Sequence, residues 1–314
     1  RQLTISRFPA YCNITGGTKI MAIAAYQVMR EKTVPVFYVD TENERILMLE
    51  QPSESFYAPI ARLKVKDFVD LVGAAIFRDQ TDWFEEDQER LDSLTYLVVA
   101  NPDRWNSVSQ FFSRNNNNQD HEIEASNQLD KEDIQFLVRL KDAGWLSDVQ
   151  VTSDTIRCSF PGKYTKDILF KKGLWLEYLV YRTLKQSGLM EDIRSGVQVV
   201  WDKKDLGKRV KPENELDVLA VRASQLFGFS CKSGKDDITA ALNEIDQYTR
   251  RLGGIFYHAA LVVSRVNLDQ IHIERAKQMK VQIFKVHDEN AFREELLGWI
   301  QERIERNNLS PALR

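Results

Sequence analysis

Apolar and polar residues follow two rhythms along this chain, one near 3.6 residues and one of two, and their order outlines the fold. Residues 13–40 predict a turn (NITGGTK), an amphipathic helix (IMAIAAYQVM) and a strand (VPVFYVD), which is half of a βαβ unit. An open parallel sheet normally carries another strand and helix before such a half, so the sequence reads as starting inside its first domain. A further strand is expected over Glu44–Glu50. Val65, Phe68, Val69, Val72 and Ile76 recur at helical spacing and predict a helix over Val65–Phe77. The stretch SRNNNNQDHEIEASNQ interrupts both rhythms and predicts an exposed linker. After it, LDKEDIQFLVRLKDAGWL reads as a helix stopped at Gly144, followed by two short strands, VQV and TIRCSF. From Asp167 the order is helix (KKGLWLEYLVYRTLKQ), strand (VQVVW), strand pair (ELDVLAV and QLFGFSCK) and helix (ITAALNEIDQYTRRL). Strand (IFYHAALVVS), helix (DQIHIERAKQM), strand (VQIFKV) and a last helix complete it.

The expected organisation is therefore an α/β chain in four parts. Residues 1–113 form a Rossmann-like domain, 114–128 a linker, 129–166 a small winged-helix-like connector, and 167–314 a mixed α/β domain. A length of 314 residues suits two domains better than one core. Three cysteines (Cys12, Cys158, Cys231), odd in number and far apart, argue for a reducing cytoplasm and against a disulfide framework. No apolar run approaches the roughly 20 residues that a membrane-spanning helix needs. The net charge of −3 leaves no overall basic footprint for nucleic acid. It does not bar such a partner, because Lys203, Lys204, Lys208, Arg209 and Lys211 crowd into residues 201–213 and can grip phosphates locally. The bland reading of that run is a solvated hairpin tip. Trp201, at its start, offers a stacking face or simple packing.

Candidate chemistry gathers just after the basic run. In a strand, Glu215 and Asp217 share one face, and in the next strand Ser230 and Lys232 share one. A hairpin around Arg222–Gln225 sets Asp217 across from Ser230 and within a step of Lys232. Glu177 sits in GLWLEYLVY, apolar on nearly every side, where a buried carboxylate needs a lysine, a proton or a metal ion. Hard carboxylate oxygens suit Mg²⁺ or Mn²⁺, and a lysine beside them suits phosphodiester hydrolysis. The alternative is a half-buried Asp217–Lys232 ion pair in a purely structural domain.

The series GLWLEYLV, NELDVLAV, LFGFSCKSGK and NEIDQYTRRLGG resembles the core of the PD-(D/E)xK nucleases, a restriction-endonuclease-like fold. The resemblance implies Glu177 as the helical acid, Asp217 as the central metal-binding aspartate and Lys232 as the catalytic lysine. It places Gln247 and Tyr248 where a further helical polar group belongs. Ser230 stands where the family carries an acid. Glu215 or Glu177 can supply the missing carboxylate, and the backbone carbonyl of Cys231 can join Glu177 and Asp217 on the metal.

At the other end, Asn13, Thr15, Gly16, Gly17, Thr18 and Lys19 precede a helix. Glycines, free N–H groups, hydroxyls and a lysine at a helix start favour an anion. The spacing is neither Walker A nor GxGxxG. Joined to the nuclease motifs, NITGGTKIMA resembles the CARF sensor domain of CRISPR ancillary nucleases. That resemblance implies a homodimer binding a cyclic oligoadenylate, cyclic tetra-adenylate first among them. Binding would switch on Mn²⁺- or Mg²⁺-dependent cutting of DNA and/or RNA in type III CRISPR antiviral defence. Two other readings compete: a catalytically degenerate nucleotide-binding regulator, suggested by Ser230, and a nucleotide-cofactor enzyme. The latter lacks a ribose-reading acid about 20 residues beyond the turn.

Overall fold

A computed structural model describes residues 10–40, 45–57, 62–116, 121–205, 214–233, 238–252, 257–264 and 268–308. The chain divides into two compact units, residues 1–62 with 308–314, and residues 63–307. In the first, strands β1 (Cys12–Asn13), β2 (Val36–Asp40), β3 (Arg45–Met48) and β4 (Phe56–Tyr57) form one sheet in that order. β1 runs parallel to β2, as a βαβ half requires, and β2–β3 and β3–β4 are antiparallel. Helix α1 (Lys19–Glu31) links the parallel pair. Thr18 caps it, its hydroxyl accepting the Met21 N–H at 3.3 Å.

The second unit opens with helix α2 (Val65–Leu71) and strand β5 (Ala75–Arg78). Here the structure differs from the expected single helix over Val65–Phe77. Ala74 N–H bonds Val69 O at 3.2 Å and Gly73 adopts φ +77°, a Schellman-type stop that frees Ile76 to join a sheet. Helices α3 (Thr81–Glu86), α4 (Gln88–Ala100) and α5 (Pro102–Arg114) follow. The span 1–113 expected for the first domain is thus divided at Leu63, because β5 pairs with a strand far along the chain.

The expected linker also holds structure. Its residues 117–120 lie outside the described residues, but Glu122–Ser126 is strand β6. Ile123 is fully buried while Glu122 and Glu124 reach Arg157, a two-residue alternation that the polar composition masked. Helix α6 (Lys131–Asp142) and strands β7 (Asp148–Val151) and β8 (Thr155–Ser159) match the expected helix and hairpin. Sheet order is β6-β8-β7.

Helices α7 (Lys163–Phe170) and α8 (Leu174–Ser187) then lead into strands β9 (Asp192–Val200), β10 (Asn214–Arg222) and β11 (Gln225–Ser233). The rest is helix α9 (Ile238–Leu252), strand β12 (Tyr257–Ser264), helix α10 (Gln270–Gln278), strand β13 (Gln282–Lys285) and helix α11 (Glu289–Asn308). Six strands pair in the order β13-β12-β11-β10-β9-β5. β11, β12 and β13 are parallel neighbours, and β5, β9, β10 and β11 antiparallel ones. Two cores cover the sheet. One holds Leu176, Leu179 and Val180 of α8 with Val218, Ala220, Phe229 and Cys231. The other holds Ala241, Leu242 and Ile245 of α9 with Leu219, Val221 and Leu261, and takes Val65, Phe68 and Val69 of α2.

His258 gives this core a pH dependence. It packs on Phe227 at 4.9 Å, and its Nε2 lies 2.7 Å from Gln225 Oε1. Burial, with Arg303 nearby, lowers its pKa from 6.5 to about 4. The fold therefore favours neutral imidazole, and its stability is whole above pH 6.5. It is lost as pH falls toward 4, because the unfolded chain takes up the proton first. Urea unfolding should show a decline of about 2–3 kcal/mol over that range. In His258→Phe the decline should be absent; an equal decline there would assign the effect to other groups.

Candidate active site

Alternation fixes which side chains of the central hairpin meet. Arg222 pairs with Gln225 across a two-residue turn whose Ala223 and Ser224 both take positive φ, 48° and 57°. Counting back, Val218 faces Phe229, which brings Asp217 to the level of Ser230. On its other side the ladder pairs Leu216 with Val197 and Val218 with Ser195. It passes over Asp217 and Gly196, whose φ is +54°. Released from regular pairing on both flanks, Asp217 turns its carboxylate into the sheet. Its Oδ2 accepts the Cys231 N–H at 2.6 Å and lies 3.6 Å from Lys232 Nζ.

A cleft of about 280 Å³ opens there. Glu215, Asp217, Ser230, Lys232, Glu244, Tyr248 and Tyr257 line it. The structure thus gathers Glu215, Asp217, Ser230 and Lys232, as expected. Gln247 is exposed and does not line the cleft. Glu244, one turn earlier on α9, does, and Tyr248 Oη donates to its Oε1 at 2.6 Å. The signal for Glu244 was present in the sequence. Ala241, Ile245, Tyr248 and Leu252 set the buried stripe of α9, and Glu244 flanks it while Gln247 points away.

Electrostatically the site has more acid than base. Burial first, then Asp217 and Glu215, raises the Glu177 carboxyl to about 8. Burial also raises Asp217, with Glu215 and Glu244 adding to the effect and Lys232 and the Cys231 N–H opposing it. Burial alone would lower Lys232, but Asp217, Cys231, Glu244 and Glu177 outweigh it and hold the ammonium charged. The Cys231 thiol is pushed well up by burial and by Asp217, so that sulfur stays a neutral core atom.

Glu215 is held from the side. Gln198 Nε2 donates to its Oε2 at 2.8 Å and Gln80 Nε2 to its Oε1 at 3.1 Å, while Arg78 Nε fixes Gln198 Oε1 at 2.8 Å. A Cβ on Gly196 would come 2.6 Å from Gln80 Cδ, so glycine there makes room for the amide that steadies Glu215.

Trp201 packs. Its ring stacks on Tyr248 at 6.2 Å, Arg251 lies 4.1 Å over it, and Nε1 donates to Asn214 Oδ1 at 2.7 Å. Of the basic run, Lys203 Nζ pairs with Asp70 at 2.6 Å and Lys204 is exposed. Lys208, Arg209 and Lys211 lie outside the described residues.

In the first unit, Asn13 Oδ1 accepts from Thr15 N at 2.9 Å and from Thr15 Oγ1 at 2.6 Å. Thr15 Oγ1 in turn accepts the Val39 N–H at 2.7 Å. The Thr15 hydroxyl expected to meet a ligand therefore spends its proton on Asn13 and ties the turn to β2. Gly16, Gly17, Thr18 and Lys19 form the exposed lip of the turn and the first residue of α1, with Thr18 also serving as the cap described above.

Residues 3–68 match the family model for the Card1 CARF domain, and residues 165–303 that for the Card1-like endonuclease domain. Among solved structures the fold is similar to Can2 from Sulfobacillus thermosulfidooxidans, solved in complex with cyclic tetra-adenylate. That match has a TM-score of 0.63 and 23% identity, covering 92% of this chain and 75% of the other. It is also similar to protein VC1899 from Vibrio cholerae, with a TM-score of 0.70 and 21% identity over 93% of this chain and 76% of that one. No curated protein matches.

Proposed function

We propose that this chain, which joins a Card1 CARF domain to a Card1-like endonuclease domain, is a metal-dependent endonuclease of type III CRISPR defence that cyclic tetra-adenylate switches on. One observation carries the cleavage half: Asp217 and Lys232 stand 3.6 Å apart in an acid-lined cleft inside the endonuclease segment. The activator half rests on the CARF match and on likeness to a protein solved with that nucleotide.

The residues fit a hard divalent cation. Burial first, and then the charge of Asp217 and Glu215, keeps the proton on Glu177 to about pH 8, and a cation would relieve the repulsive part. Among the described residues no three His, Cys, Asp or Glu side chains are grouped to hold a metal ion. Such a site suits Mg²⁺ or Mn²⁺, which take one or two carboxylates and fill the remaining positions with water and phosphate. Asp217, with the Cys231 carbonyl, would hold the ion from the cleft, and Glu177, which does not line it, would add charge from the α8 side. A cation held there would stabilise charge on the phosphoryl oxygens and lower the pKa of the attacking water. The Lys232 ammonium orients that water or meets the developing charge, with Asp217 fixing its position. Lys203, Lys204, Lys208, Arg209 and Lys211 grip the flanking phosphates of DNA or RNA.

The working form is a cytoplasmic homodimer. Nothing on α1 is buried, and Ile20, Ile23 and Val28 lie exposed along one side of it, a face suited to a second copy. Among the described residues no helix is long and apolar enough to cross a membrane.

The test is incubation of labelled DNA and RNA with the protein, with and without Mn²⁺ and each cyclic oligoadenylate. Cleavage that needs both Mn²⁺ and cyclic tetra-adenylate is the expected result. Nucleotide binding without cleavage of any substrate would replace this reading with the degenerate regulator that Ser230 suggests.

A further inference from the structure

We infer that Glu244 supplies the second carboxylate of the cleavage cleft, sharing it with Asp217 and Lys232; this rests on the nuclease reading above. Four acids lie at or behind this cleft, and the structure gives them different positions. Glu215 is exposed, and both its oxygens are taken by the Gln80 and Gln198 amides. Glu177 projects from α8, whose core covers the opposite face of the sheet, and it does not line the cleft. Asp217 lines the cleft with its Oδ2 anchored on the Cys231 N–H. Ser230, beside it, brings only a hydroxyl.

Glu244 is left, and the surrounding structure is built to hold it. Tyr248, one turn later on α9, is buried and gives its hydroxyl to Glu244 Oε1. That phenol is fixed in turn by the stack on Trp201, whose indole is pinned by Asn214 and covered by Arg251. A chain of four side chains therefore steadies one carboxylate at the cleft wall. It lines the same cleft as Asp217 and Lys232, and its charge raises the pKa of both. Two carboxylates lining one cleft suit a divalent cation that keeps positions for water and phosphate, with Lys232 paired to Asp217 at its side.

The experiment measures Mn²⁺ binding by calorimetry and by Mn²⁺-dependent thermal shift, beside cleavage, for the parent, Glu244→Gln, Tyr248→Phe, Gln247→Ala and Asp217→Asn. Glu244→Gln should weaken Mn²⁺ binding at least tenfold and slow cleavage about a hundredfold. Tyr248→Phe should do the same in smaller measure, and Gln247→Ala should change neither. Far-UV circular dichroism and urea unfolding establish that each variant folds; if Glu244→Gln does not, Glu244→Asp takes its place and should show a partial loss of both. If Glu244→Gln binds Mn²⁺ and cleaves like the parent while Asp217→Asn does neither, the assignment of Glu244 is overturned and the nuclease reading stands. If the parent neither binds Mn²⁺ nor cleaves, the nuclease reading falls and Glu244 with it.

Discussion

Asp217→Asn and Lys232→Met should each cut phosphodiester cleavage by about a thousandfold while binding of cyclic tetra-adenylate is unchanged. The magnitude is that of removing a preorganised charge from a transition state, about 4 kcal/mol. The two variants should part in stability. Asn at 217 removes an ionised group from a buried position where Glu215 and Glu244 repel it, and it keeps an oxygen for the Cys231 N–H. Met at 232 removes the cation that Asp217 and Glu244 lean on, and leaves those carboxylates uncompensated. Asp217→Asn is therefore expected to unfold at or above the parent's urea midpoint, and Lys232→Met below it. Parent-like cleavage by both would remove the active site from this cleft.

Gly228→Ala should be the most damaging single methyl in the sheet. A Cβ there would come 1.7 Å from Tyr257 Oη and 2.4 Å from its Cζ. Gly228 is buried beneath that ring, and Tyr257 itself is buried at the cleft wall. The backbone of β11 is paired on both sides and cannot yield, so the ring must move. Overpacking of this severity costs about 3 kcal/mol. Thermal and urea unfolding should report it, and cleavage should fall as the ring is driven into the cleft. Tyr257→Ala leaves a void of its own, so both single variants lose stability, but Gly228→Ala in its presence should lose much less. That non-additivity identifies the clash as the cause. Additive losses would place the strain elsewhere.

How much of this was legible in the sequence depended on whether local pattern or distant pairing decided the outcome. The hairpin was readable. Each strand runs nine residues, with alternation local to Glu215–Val218 and Phe229–Lys232, a short turn joins them, and Asp217 and Lys232 follow by counting. α9 was readable as a helix, but its rotation was not settled, because Asn243, Glu244, Asp246 and Gln247 are polar in close succession. Only the buried stripe picks out Glu244. β5 was unreadable as a strand. Ala75–Arg78 is short and continues an apolar helical pattern, and its partner lies more than a hundred residues away. β6 hid in polar company, with Ile123 and Ala125 as its inward residues. Where Thr15 spends its hydroxyl depends on Val39 in the neighbouring strand, which no spacing rule reports.

The pairing of β5 with β9 also decides what a smaller protein could do. The endonuclease match begins at residue 165, yet an edge strand of the same sheet comes from residues 75–78, and Gln80 just beyond it reaches Glu215. A fragment started at 165 would expose the outer edge of β9 as unpaired backbone, an invitation to self-association, and would set one cleft acid loose. The nuclease is written into the chain in two instalments, so a gene fusion or truncation that respects only the second would inherit the motif without the frame that aims it.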